Sequence, residues 1–211
     1  MLVPPARFAR WVENVVGRHG QVVLSIEAGE LVGAAADGST FRARLPFDGS
    51  YVGAPTPTAF AAADEAPAVW GVLLVRKGGF AVARLSGTAT VASKVGRRHV
   101  QGRTKAGGQS QQRFARRRDN QARVAFEAAA AHAVEILGEP AGRRDALPVV
   151  VGGDRSAVAE VITEPRLAHL RVVGGWFGVP DPRRDVLERV VEQSQHLSIE
   201  VHNVDEPGSH D

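Results

Sequence analysis

The sequence predicts a mixed α/β (α+β) protein, with helices on the faces of a mixed β-sheet and an N-terminal helix and antiparallel β extension ahead of it. Three observations carry this. Short β-rich runs separated by Gly and Asp fill the first half. One long helical pattern crosses the middle. The last third alternates strand and helix, the pattern of a sheet covered by helices. At 211 residues and 44% hydrophobic composition, the chain is long and apolar enough to bury a core.

In chain order, residues 6–19 space Phe8, Trp11, Val12, Val15 and Val16 at helical intervals, with Gly20 as a stop. Strands follow at 21–26, 31–35 and 40–45, with turns at 27–30 and 37–39. Residues 46–68, rich in Pro, Ala and Thr, read as a loop. A second β group covers 69–76, 80–85 and 88–93, followed by a basic loop. A helix fits 111–137, with Phe126, Ala130, Ala133 and Leu137 on one stripe, and Gly138 and Pro140 end it. The remainder reads strand 148–151, helix 156–162, strand 170–173, helix 183–195, strand 197–201. The expected organisation is 1–68 packed on or continuous with 69–204, and a disordered tail at 205–211.

The charge is lopsided. Between Ala66 and Arg118 there is no Asp or Glu, yet twelve of the 26 Lys and Arg residues fall there. The other fourteen share the rest of the chain with all 23 acids. A field of this kind turns one face toward a polyanion. The chain contains no cysteine, which excludes disulfides, thiolate zinc sites and a Cys nucleophile. The seven histidines are scattered and none pair at metal spacing on a helix, so neither metal nor cofactor is expected. The N-terminus lacks a signal-peptide core and the apolar run Val69–Val75 is too short for a bilayer. A soluble, cytoplasmic protein without membrane contacts is therefore expected.

Two glycine-bearing strings stay outside this scheme. Gly152-Gly153-Asp154 after a strand reads as a strand-to-helix turn, since Walker residues are absent. Gly174-Gly175-Trp176-Phe177 is either a partner-binding aromatic tip or a turn with two core aromatics. A Ser-His-Asp hydrolase is disfavoured because no Gly-x-Ser-x-Gly elbow exists.

The most specific string is Lys105-Ala106-Gly107-Gly108-Gln109-Ser110-Gln111-Gln112-Arg113-Phe114-Ala115-Arg116-Arg117-Arg118. It resembles the catalytic loop of eukaryotic and archaeal class-I release factors, matching at Gly107, Gly108, Gln109, Ser110, Arg113, Phe114, Arg116 and Arg118. The match is close over about fifteen residues and architectural elsewhere. No Asn-Ile-Lys-Ser string, used by those factors near the stop codon, is present. The chain is more similar to the Vms-like release factors of ribosome quality control, in their compact actinobacterial type. In that wider family a Gly-x-x-Gln spacing also occurs, and Gly108 to Gln111 satisfies it, so Gln111 is the alternative to Gln109.

The resemblance implies a release-factor catalytic fold carrying a GGQ loop over 94–112, and codon-independent hydrolysis of peptidyl-tRNA. The substrate is the ester between a nascent peptide and tRNA on stalled ribosomes or large subunits. Gly107 and Gly108 would let the backbone approach the ester without a Cβ. The Gln109 N–H would face the developing oxyanion, and its side-chain amide would orient water, since a neutral amide is a poor general base. Lys94, Arg97, Arg98, Arg103, Lys105, Arg113, Arg116 and Arg117 would contact rRNA and tRNA phosphates. Expected partners are the large ribosomal subunit, peptidyl-tRNA and rRNA, met by a monomer. Two other readings stay open: a non-catalytic ribosome-associated RNA-binding factor, and a nuclease acting on stalled tRNA or mRNA.

Overall fold

The computed structural model describes residues 1–97, 124, 126–138 and 146–204. The chain divides into two compact units, Met1–Ala66 with Glu192–Asp211, and Pro67–Val191. The second is thus inserted in the sequence of the first. The sequence boundary was expected at 68/69, with everything up to 204 in the later part. The structure puts the last strand with the first unit instead.

The first unit holds β1 (Leu2–Val3), α1 (Pro5–His19), β2 (Val22–Glu27), β3 (Glu30–Ala35), β4 (Thr40–Arg44), α2 (Pro57–Ala62) and the final strand, β10 (Leu197–His202). Pro5 opens α1, where its missing N–H costs nothing. Gly20, at φ +82°, closes it and donates to Val16 O at 3.0 Å. The β2–β3 turn places Ala28 and Gly29 both at positive φ (51° and 82°), the primed hairpin geometry that matches strand twist. The strands form one antiparallel sheet ordered β1-β10-β4-β3-β2. Its inner face presents Leu31, Phe41, Ala43, Leu197 and Ile199 to Phe8 and Val12 of α1 and Phe60 of α2. Gly33 lies under the Phe41 ring; a Cβ there would come within 2.1 Å of it.

Two elements differ from the sequence reading. The segment 46–68 is not all loop: Pro46–Asp48 forms a 3-10 turn, and α2 is a short helix. Thr56 caps α2 by accepting the Ala59 N–H at 3.3 Å, Pro57 starts it, and Phe60 is fully buried. Six residues are too few for a helical period to show, although the Thr-Pro start signal was legible. Likewise β10 does not extend a parallel α/β sheet. It runs antiparallel to β4, with Ile199 opposite Ala43, and to β1. Its alternating burial is that of a sheet wet on one face: Leu197 and Ile199 are buried, Ser198 and Glu200 exposed.

On the outer face Glu27, Arg42, Glu30, Arg44 and Glu200 form a ladder, with Arg44 Nε to Glu30 Oε1 at 2.7 Å and Arg42 Nη1 to Glu30 Oε2 at 3.0 Å. Partial burial opposes ionisation of Glu30, but hydrogen bonds from Arg44 and then Arg42 hold its carboxyl below the ordinary value of 4.5. A depressed carboxylate stabilises the fold above its unfolded pKa and loses that contribution as pH falls through the folded one. Glu30→Gln is therefore expected to lower stability by about 0.5–1 kcal/mol at pH 7. That deficit should begin to shrink as pH falls below about 4.5 and vanish once pH has passed the lower folded value, as followed by urea unfolding across pH. An equal deficit at every pH would contradict the assignment.

The second unit contains β5 (Val69–Arg76), β6 (Gly79–Ser86), β7 (Ala89–Arg97), α3 (126–137), β8 (Leu147–Gly153), α4 (Arg155–Ile162), a 3-10 turn (Pro165–Leu167), β9 (Leu170–Val172) and α5 (Arg184–Gln193), which crosses into the first unit at Glu192. The sheet order is β7-β6-β5-β8-β9. Pairing is antiparallel from β5 to β7 and parallel from β5 to β9, so the sheet is mixed as expected. Leu73, Val75, Phe80, Val82, Val149 and Val151 pack with Ala129, Ala133 and Leu137 of α3 and Ala157, Val158 and Val161 of α4. The alanines let α3 lie close to the strands. The stripe read from the sequence is recovered for Ala133 and Leu137, both fully buried, with Phe126 and Ala130 partly buried beside them. The part of that helix expected before residue 124 lies outside the described residues, as do Pro140 and the tail 205–211.

The turn from β8 to α4 is held by backbone approach. Gly153 sits at φ +99°, and a Cβ there would meet Val75 O at 2.2 Å. Asp154 N–H donates to that same carbonyl at 2.8 Å. Gly153→Ala combines left-handed strain with this clash, and a loss of about 2–4 kcal/mol is expected in urea unfolding. A change under about 0.5 kcal/mol would show that the turn yields freely.

Candidate functional site

Strands β5, β7, β8 and β9 all run in one direction, so their C-terminal ends share one edge of the second sheet. The partners Gly153–Val75, Arg76–Gly79 and Gly79–Arg97 set the ends of β8, β5 and β7 and the start of β6 side by side. The chain segment with Gly107-Gly108-Gln109 leaves β7 at Arg97, on this edge. In parallel sheets, ligands collect outside the carboxyl ends of strands.

Lys94 and Arg97 are the expected phosphate-binding residues that fall inside β7 rather than in a loop. Strand β7 runs past the predicted end at Ser93 because β6 offers it a full partner: Lys94 pairs opposite Val82, and Arg97 opposite Gly79. Lys94 is exposed on this edge strand. The other residues expected to act, Gly107, Gly108, Gln109 and its alternative Gln111, and Arg98, Arg103, Lys105, Arg113, Arg116 and Arg117, lie outside the described residues. So do Ser110, Phe114 and Arg118.

What the structure does describe is how the two flanks of that segment are fixed. Phe80 of β6 stacks on His132 of α3, with ring centroids 5.3 Å apart and planes 26° apart. On its other neighbour, β7, the same ring fills the space over Gly96, where a Cβ would come within 2.3 Å. One aromatic side chain thus sets both the strand that enters the segment and the helix that follows it. At the far end of α3, Leu137 occupies the notch left by Gly71 of β5, 2.6 Å from a virtual Cβ. The His169 Nε2–H donates to Leu137 O at 2.9 Å, taking a carbonyl of the helix C-terminus. His132 Nδ1 lies 3.0 Å from Glu135 Oε2 one turn on. Sequence reading set the histidines aside as unlikely metal ligands and did not see these packing roles. The glycines at 71 and 96 were the available signal, since glycine inside a strand marks close approach.

In the Gly174-Gly175-Trp176-Phe177 string both aromatics are half-buried and Trp176 is packed on the core. Phe177 bridges Gly152 in parallel, with Gly153 N–H donating to Phe177 O at 2.9 Å. Trp176 packs against the core with its Nε1–H on Gly153 O at 3.2 Å, and the Arg155 guanidinium lies 4.5 Å from its ring centroid. A groove of about 1000 Å3, lined by Arg84, Ala92, Val134, Ile136, Gly138 and His169, lies along the C-terminal end of α3. Arg84 is four residues down β6 from Phe80, so this groove is about 13 Å from the strand-end edge.

The second unit is a mixed sheet with helices packed on it, and its β7–α3 connection carries a Gly-Gly-Gln in sequence. The family model for the Actinobacteria/chloroflexi VLRF1 release factor matches residues 68–200. The chain belongs to that family, and its coarse role is that of a release factor in translation. No curated protein sequence matches the chain. Among the described residues, no helix is long and apolar enough to cross a membrane.

If Phe80 fixes β7 through Gly96, then Gly96→Ala is expected to cost about 1–3 kcal/mol by overpacking. In a Phe80→Leu background, the same change should cost under about 0.5 kcal/mol, a coupling readable in a double-mutant cycle by urea unfolding. Equal costs in both backgrounds would remove the contact from the account.

Proposed function

We propose that this protein hydrolyses the ester of peptidyl-tRNA on stalled ribosomes or their large subunits, without reading a codon, and so frees the nascent chain. It acts as a monomer in the cytoplasm, with no metal or cofactor. The observation that carries the reading is the release-factor family match, whose span includes Gly107, Gly108 and Gln109. The chemistry is that of positioning. The two glycines bring the backbone to the ester, the Gln109 N–H meets the oxyanion, and the amide orients water. Lys94, Arg97, Arg98, Arg103, Lys105, Arg113, Arg116 and Arg117 neutralise rRNA and tRNA phosphates, in a stretch where no acid competes for them.

The test is peptide release from stalled nascent-chain complexes. Gln109→Ala is expected to slow release on the order of 100-fold, while binding to the ribosome is unchanged. Loss only with Gln111→Ala would move the active residue by two. Unchanged release with both variants would remove these glutamines from the chemistry, no release by the parent protein would favour a non-catalytic RNA-binding factor, and a tRNA product with a damaged 3′ end would reveal a nuclease.

A further inference from the structure

We propose that the strand-end edge of the second unit, through Lys77 and Arg155 with Arg76 beside them, is a second RNA-phosphate contact next to the point where the basic segment leaves β7. None of these three was among the residues expected to bind RNA. The register places them: Gly153, the Val75–Arg76 end, Gly79 and Arg97 are consecutive neighbours on β8, β5, β6 and β7. At about 4.8 Å per strand the row spans about 15 Å. That is about four nucleotide steps along a duplex strand, at about 3.4 Å each.

The three cations are held differently. Arg76 is anchored, with Nε 3.4 Å from Asp154 Oδ1 and Nη1 donating to Val179 O at 3.1 Å. Its partner Asp154 is thereby occupied. Lys77 is exposed at the β5–β6 turn. Arg155 is exposed and has no acidic partner among the described residues; its guanidinium is laid on the Trp176 indole instead. A guanidinium already fixed on an aromatic face loses less freedom when it meets a phosphate. The acid nearby is Asp181, whose carboxylate lies 3.2 Å from a virtual Cβ at Gly78, and it is exposed and outside ion-pair range of Lys77. The occupant is RNA rather than an acidic protein because Arg76 and Lys77 belong to the acid-free, base-rich stretch Ala66–Arg118 of the sequence. This rests on the RNA-binding half of the reading above and not on hydrolysis.

The test uses the full chain and a fluorescein-labelled RNA hairpin of arbitrary sequence, followed by anisotropy over a salt series. The Lys77→Glu/Arg155→Glu variant is expected to bind about tenfold or more weakly near 0.15 M salt, and its log K against log salt slope should be shallower by about 1.5–2. Lys77→Ala/Arg155→Ala should move both readings the same way by a smaller amount, which guards against a folding defect. Arg166→Glu/Arg171→Glu carries the same change of net charge on the β9 side and should stay within about twofold of the parent. Parent-like binding by the first variant would overturn the proposal, as would an equal loss in the Arg166/Arg171 variant. Lost binding to large ribosomal subunits with hairpin binding retained would also overturn it, because the partner would then be a protein. A parent protein that binds the hairpin but releases no peptide would sink the hydrolase reading and leave this one standing.

Discussion

Phe80 occupies the point at which the second unit packs β6, β7 and α3 together. The ring closes over Gly96 on one side and stacks on His132 of α3 on the other. Strand β7 delivers the chain to the Gly-Gly-Gln segment and α3 receives it, so the two flanks are set by one side chain whose own exposure is only 7%. A loop of any mobility can present a residue reproducibly only if its ends are fixed. Here the ends are fixed by packing, which is stiff because interiors are close to crystal density. The glycines at 71 and 96 matter for the same reason: each is a vacancy that a large side chain from a neighbouring element fills.

Electrostatics complements that rigidity. The stretch Ala66–Arg118 carries twelve bases and no acid of its own, so like charges within it repel one another. In the first unit the opposite arrangement holds. Arg42 and Arg44 are spent on Glu27, Glu30 and Glu200 across the outer face of the sheet, leaving that face a solvated ladder of paired charges. In the second unit arginines pair more sparsely, Arg76 with Asp154 and Arg166 with Glu164.

The chain path also shapes what each part can do. The family match covers 68–200, which is close to the second unit together with the start of β10. The first unit is built from both ends of the sequence. Met1 N–H donates to Ile199 O at 2.6 Å, and Ile199 N–H returns a bond to Met1 O at 2.8 Å. Strand β10 thereby joins residues nearly the whole chain apart. Cutting the sequence at residue 68 would separate β10 from β4 and β1, its two hydrogen-bonding neighbours.

Much of this was legible from residues alone. The helix at α1, the hairpin turn at Ala28-Gly29, the strand Val69–Arg76 and the stripe Ala133–Leu137 follow from periodicity and turn chemistry, which are local properties. So did the Gly-Gly-Gln string, its basic surroundings and the family they resemble. Other features depend on pairs of residues far apart in sequence, and no local pattern encodes a pair. The destination of β10 was fixed by its fit to β4. The length of β7 was fixed by the partner β6 offers, and the packing roles of Phe80, His132 and His169 by what faces them. The small helix α2 was hidden because its stability comes from burying Phe60 between Phe8 and Tyr51, with ring centroids 5.9 and 5.3 Å away, rather than from its own six residues. The sequence by itself determined the family this protein belongs to and most of its local elements. Tertiary structure decided which strand ends share an edge, because strand order and direction are properties of pairing across the chain rather than of any segment within it.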